Sequence, residues 1–275
     1  MMTTRRQTTP EPPEAHAPAA ETPTLVWERP EPPGRPTPSP LSRDRIVAAA
    51  IYLADADGLD AVSLRKVAAT LDAGPMRLYR YLCTKEEMLD LMVDAVYGEI
   101  VAAEPPLPPE PPAVPGNSTA SAPSSGGWRR DLRSHAHRTR AAALRHEWFA
   151  DLLGGRPHLG PNAFANFEAA LVALRRDPGF DGIDTVLAAV EAVDAYLVGA
   201  VRKEIAELRA DRSTGMEEQQ WQAAAGPYIG RMLATGRYPT LSEAVVDAAP
   251  RDAGTVFDTG LAYVLDGIAA RLPQR

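Results

Sequence analysis

Cysteine is almost missing from this chain: Cys83 is the single one among 275 residues. One thiol excludes a disulfide framework and any all-cysteine zinc site, and it fits a reducing compartment. No apolar run approaches the roughly 20 residues that a bilayer requires, and the N-terminus lacks the continuous apolar core of a signal peptide. The expectation is a soluble cytoplasmic protein with no membrane partner. Alternating strand patterns are absent as well. Basic charge is in deficit, with a net charge of −7, which argues against indiscriminate nucleic-acid binding through a broad cationic surface.

Proline is present but unevenly spread. Of 27 prolines, 11 fall in residues 1–40 and 8 in residues 104–127. Such segments cannot form helix interiors. The predicted organisation is a disordered Pro-rich arm over 1–40, a helical domain over 41–103, a Pro/Ser/Gly-rich linker over 104–127 and a second helical domain over 128–275. Leu25, Val26 and Trp27 interrupt the arm with apolar side chains that could dock.

The pattern between the proline clusters is helical, and the fold class expected is all-α. Ser42 caps a first helix carrying Ile46, Ala49, Ala50 and Leu53, which closes at Gly58. Ser63 stands in the cap place of a short second helix with Val67, Ala68 and Leu71. Asp72-Ala73-Gly74 is turn chemistry, and Pro75 suits the first position of a third helix. Thr84 caps a fourth, with Glu86 and Glu87 in its first turn. Beyond the linker, helices are expected at about 129–147, 162–176, 181–209, 216–235 and 252–272. In 181–209 an apolar strip runs from Ile183 through Val186, Val190, Val193, Leu197, Val201 and Ile205 to Leu208, with Leu187 and Val198 beside it. A last helix repeats Val256, Phe257, Leu261, Val264, Leu265 and Ile268. Two such broad faces suggest a helix-bundle dimer; the bland reading is that both line the monomer's own core.

Residues 63–85 read SLRKVAATLDAGPMRLYRYLCTK and carry five basic residues against Asp72 alone. Two short helices about a tight turn have the geometry of a helix-turn-helix, whose second helix enters the major groove. Arg65 and Arg77 can fork onto guanine edges, while Ser63, Lys66, Tyr79, Tyr81 and Lys85 can hold phosphates. Lys85 adds its charge to the amides that open the fourth helix. Arg80 faces either solvent or phosphate, and both stay open. Leu78, Leu82 and Cys83 are read as small or apolar residues packed between helices.

The stretch from Leu41 to Leu91, with its run LYRYLCTKEEML, resembles the DNA-binding domain of the TetR family of bacterial transcriptional regulators. That resemblance implies phosphate contacts from Tyr79, Tyr81 and Lys85 with help from Ser63, and base reading from the places of Arg65, Pro75, Met76 and Arg77. Pro75 and Met76 have no side-chain donor, so direct readout would rest on the two arginines, with Met76 free to meet a thymine methyl. The segments DLRSHAHRTRAAALRHEW, RPHLGPNAFANFEAAL and AVDAYLVGAVRKE are similar to the tetracycline-repressor branch. This likeness implies a small-molecule pocket in each subunit and dimerisation through the two longest C-terminal helices. His135, Thr139, His158, Asn162 and Phe167 become effector-site candidates through it. His158 takes the place of a magnesium ligand of drug-binding relatives, but Lys203 falls where the working carboxylate would be, and Ala170 replaces a polar pocket position. A lysine cannot replace a carboxylate beside a cation, so no metal or cofactor is expected.

The remaining histidines have ordinary readings. His135 and His137 are two apart and lie on different helix faces, and His146 sits at a helix end where a partly exposed imidazole suits the dipole. No nucleophile with its base, carboxylate pair or phosphate loop is visible, so no enzyme is expected. The function implied is a homodimeric, ligand-responsive repressor of a palindromic double-stranded DNA operator, released by a small-molecule effector. Control by a protein partner, or a helical enzyme of unfamiliar type, stand as alternatives.

Overall fold

The computed structural model describes residues 25–33, 40–103, 127–215 and 218–273. The expected disorder of residues 1–24 and 34–39 and of the linker over 104–126 concerns residues outside these. The chain divides into two units, 1–30 and 31–275. In the first, Leu25 to Glu28 make a turn: the Glu28 amide donates to the Leu25 carbonyl at 3.0 Å, and the Leu25 amide donates to the Glu28 carboxylate at 3.3 Å.

In the second unit every regular element among the described residues is helical. Helix α1 (Arg43–Asp57) starts where the Ser42 hydroxyl accepts the Arg45 amide, and it stops at Gly58, whose φ of 81° few other residues tolerate. After a single 3-10 turn come α2 (Leu64–Thr70), α3 (Pro75–Leu78) and α4 (Lys85–Ala102). The face of α1 that buries Ile46, Val47 and Ala50 meets α4, which buries Met88, Met92, Val96 and Ile100. Each such large side chain removed from water stabilises by about 1.5–3 kcal/mol.

The body consists of α5 (Gly127–Arg145), α6 (Glu147–Leu152), α7 (Pro161–Arg175), α8 (Ile183–Thr214), α9 (Glu218–Leu233), α10 (Pro239–Asp247) and α11 (Ala253–Ala269). The expected helix over 129–147 breaks at His146, and α6 begins there. Alanine-rich sequence continues the helical pattern across this break, so periodicity could not reveal it. Helix α10, not among the expected helices, opens at Pro239, and proline at a first helical position is favourable. Helix α8 lies at the centre of the body, touching α5, α6, α7 and α11. Its strip Val186, Val190, Val193, Leu197, Val201 and Ile205 is buried within the chain itself. Only the ends of that strip, Ile183 and Leu208, are exposed.

Helix α4 joins the two parts by packing along α7 and also touching α5 and α6, while α1 meets α6. These contacts pack the N-terminal helices against the body.

Candidate nucleic-acid interface and effector site

The turn between α2 and α3 is set by its backbone. The Ala73 amide reaches the Ala68 carbonyl at 2.9 Å and the Asp72 amide reaches Ala69 at 3.1 Å, the paired bonds of a Schellman closure. Its left-handed residue is Asp72, φ 48°, a type that tolerates this region better than most. Gly74, φ −69°, is instead the cap of α3, and Pro75 opens it. Past Leu78 the chain keeps turning, with the Tyr81 amide on Leu78 at 2.8 Å and the Leu82 amide on Leu78 at 3.0 Å. The Ser63 hydroxyl accepts the Lys66 amide at 3.3 Å, and Thr84 accepts the Glu87 amide at 3.1 Å. Glu87 reaches back to the Cys83 amide at 2.7 Å. Side-chain caps thus fix the starts of α2 and α4, on either side of α3.

Leu78 and Leu82 are wholly buried, which leaves Arg65, Lys66, Pro75, Met76, Arg77, Tyr79, Arg80 and Lys85 exposed on the other side; Ser63 is half-buried. Met76, 77% exposed, has an apolar side chain with nothing to cover it. Among the described residues none of Arg65, Lys66, Arg77, Arg80 and Lys85 makes an ion pair. In the body, by contrast, Arg129, Arg140, Arg145, Arg209 and Arg212 each pair with a carboxylate. A cluster of unpaired cations in an acidic chain is a surface suited to phosphates. Two residues differ from expectation. Tyr81 is buried, 7% exposed, because its position one turn past Leu78 points the ring inward. Cys83 is exposed, lying in the corner before Thr84.

The five effector-site candidates are brought together only in part. His135 is buried, with Nε2 3.8 Å from Asp194 on α8 and Nδ1 buried without a hydrogen-bond partner. Thr139, one turn on, donates its hydroxyl to the His135 carbonyl at 3.0 Å. The His158 ring lies 5.9 Å from that of Tyr97, and its Nε2 bonds the Leu152 carbonyl at 3.2 Å. Phe167 is exposed on α7. Asn162 serves α4: its side-chain amide and its backbone N–H both donate to Asp94, at 3.0 and 2.9 Å, and the Ala163 amide adds a third bond at 2.9 Å.

Asp94 and Tyr97 were missed by sequence reasoning. The signal available was an aspartate embedded between Val93 and Ala95 in the apolar run of α4, where a charge has no place unless something holds it. Burial raises the Asp94 carboxyl above its ordinary value, opposed by the three hydrogen bonds and by His158. Burial, with Asp194 and Asp94 adding their charge, pushes the Tyr97 hydroxyl up to about 12. Tyr97 therefore stays a neutral donor at physiological pH.

A second cluster joins the N-terminal helices to the body. His146 is buried rather than partly exposed, with Nδ1 2.9 Å from Asp55 of α1 and Nε2 3.2 Å from Glu99 of α4. The Trp148 indole N–H donates to the same Asp55 at 2.7 Å, and Arg145 pairs with Glu99 at 2.6 Å. His135 and His137 do diverge as their spacing requires, one toward Asp194 and the other 2.8 Å from Asp258 on α11.

A helix-turn-helix with unpaired cations, joined through its last helix to a body of long helices, defines a two-part helical DNA-binding regulator. The family model described as the tetracyclin repressor-like C-terminal domain matches residues 120–272. The HTH-type transcriptional repressor DrrR1 of Streptomyces coeruleorubidus is 36% identical over 93% of this chain and 87% of its own length. The class E tetracycline repressor protein of Escherichia coli is 26% identical over 86% of this chain and 94% of its own. Among solved structures, the TetR family protein ActR of Streptomyces coelicolor, in complex with (S)-DNPA, has a TM-score of 0.63 at 25% identity, covering 84% of this chain and 98% of ActR. The chain belongs to the TetR family of DNA-binding transcriptional regulators.

Proposed function

We propose that the protein is a homodimeric repressor that binds a palindromic operator and leaves it when a small molecule enters the body. The observation that carries this reading is the bond set from Asp94 on α4 to the first turn of α7, since it ties Asn162, one of the effector-site candidates, to the helix that follows the DNA reader. Arg65 and Arg77 read base edges, with Pro75 and Met76 in apolar contact. Ser63, Lys66, Tyr79, Tyr81 and Lys85 hold phosphates, Tyr81 only by its edge. Two such readers in a two-fold dimer fit half-sites about one helical turn apart, roughly 10 base pairs or somewhat more.

The dimer forms through the outward faces of α8 and α11. Those faces carry Ala188, Ala192, Ala195 and Gly199 on one helix and Val256 and Tyr263 on the other, all exposed in the single chain. Small residues let two copies approach closely, and exposed apolar side chains gain by being covered.

The effector contacts His135, His158 and Tyr97, with Thr139, Asn162 and Phe167 around them. Relatives of the same fold hold actinorhodin or minocycline, and such compounds are the first to try. The work is binding rather than turnover, carried out in the cytoplasm without metal or cofactor. The test begins with selection of bound fragments from random DNA by the full-length chain, followed by release assays with those compounds. Operator and effector must weaken each other by the same factor. A compound that binds tightly yet leaves operator affinity unchanged would sink the mechanism. Within the reader, Lys85→Ala should weaken all sequences alike, whereas Arg77→Ala should relax preference at one operator position.

A further inference from the structure

Arg80 is left open by the helix-turn-helix pattern, and the stretch just before α1 is not part of that motif. The structure joins them. Pro33, Arg77, Arg80 and Tyr81 line one small recess beside the recognition helix. Arg77 and Arg80 are three residues apart and so emerge on the same side, and neither makes an ion pair among the described residues. Tyr81 turns what surface it has into the same recess.

The wall formed by Pro33 is held in place. The Glu31 carboxylate accepts the backbone N–H of Arg43, the first residue of α1, at 2.7 Å. That amide has no partner inside its own helix, and a carboxylate there also meets the positive end of the helix dipole. The Arg43 side chain then donates from Nε to the Tyr81 carbonyl at 3.3 Å. One arginine thereby ties the segment before α1 to the corner that follows α3.

Arg80, exposed and without an ion pair among the described residues, opens into this recess beside a base-reading arginine, and a phosphate accepts forked bonds from such a guanidinium. We infer that this recess seats one backbone phosphate of the operator, with Arg80 as its principal ligand and the Glu31–Pro33 segment as a positioning wall. The inference rests on the DNA-binding reading and extends the interface beyond the helix-turn-helix. It makes Arg80 a residue for affinity, not for sequence preference.

The experiment measures operator affinity of the full-length protein against salt concentration, for wild type, Arg80→Gln, Arg80→Ala and Glu31→Ala. Thermal melts confirm that each variant is folded. Loss of one phosphate contact should make the logarithmic salt slope shallower by about 0.9 per subunit. It should also weaken binding about tenfold, equally for operators with altered bases, since charged hydrogen bonds are strong. Glu31→Ala should produce a smaller loss that is less than additive with Arg80→Ala, because both act on one seat. A wild-type slope in Arg80→Ala and Arg80→Gln overturns the phosphate seat, as does a change of base preference. Full additivity, or no effect of Glu31→Ala, overturns the part given to the wall. Should wild type bind no selected DNA, the DNA reading itself fails, and that result is distinct from all of these.

Discussion

Asp94 lies midway along α4, where a carboxylate would ordinarily be excluded, and its two oxygens take three N–H groups from the opening turn of α7. Helix α7 has no cap of its own, since Gly160 stands in the cap place and offers no side chain. The acceptor that a serine or aspartate usually supplies locally comes here from another helix. Gly160 is required for that approach, because a Cβ at this position would fall within the Asp94 carboxylate. Gly160→Ala should therefore destabilise the protein by about 2–3 kcal/mol through overpacking, measured by urea unfolding; an unchanged midpoint would show that α4 and α7 can separate at little cost. By contrast, Gly199 and Gly267 meet nothing within 4 Å, so alanine there should leave the folded monomer intact.

Among the helices, α5 and α8 show which parts of a helical pattern a sequence can disclose. The bend at His146 is invisible to periodicity because it depends on Asp55 and Glu99, distant in sequence, arriving at the same imidazole. On α8 the apolar strip that suggests a dimer interface is buried in the monomer's own core, and the exposed side of the helix is alanine-rich. Val193→Asp should thus unfold the chain by burying a charge, at a cost above about 3 kcal/mol. Ala195→Glu should give a folded monomer by sedimentation; a dimer surviving that change would place the interface elsewhere. The pairing of α5 with α11 also predicts a pH response. Burial lowers His137 below its ordinary value of 6.5, opposed by the nearby Asp258. The neutral imidazole is the form the fold favours, so its share of stability is present above 6.5 and lost as pH falls through the lowered value. His137→Gln should melt with less acid sensitivity than wild type as pH falls below 6.5; parallel losses would assign the sensitivity to other groups.

For the molecule as a whole, the contacts that join the N-terminal helices to the body are made between packed helices. The N-terminal helices reach the body through α4 on α5, α6 and α7 and through α1 on α6, and His146 binds both α1 and α4 from the body side. Deleting residues 108–122 should leave operator affinity and effector release intact in a mobility-shift assay. Loss of release with affinity retained would mean that the linker carries the signal.

The sequence alone determined the class of fold, the caps of α1, α2 and α4, the turn before α3 and the exposed cations around it. Each of these depends on residues within about one turn of one another, where side chain, backbone amide and φ are coupled directly. Only the tertiary structure decided which apolar strip of α8 faces inward, that Tyr81 is buried and Cys83 is not, and that Asp94 and His146 hold separate helices together. Those outcomes depend on groups far apart in the chain, and burial is a property of what arrives opposite a residue rather than of the residue itself.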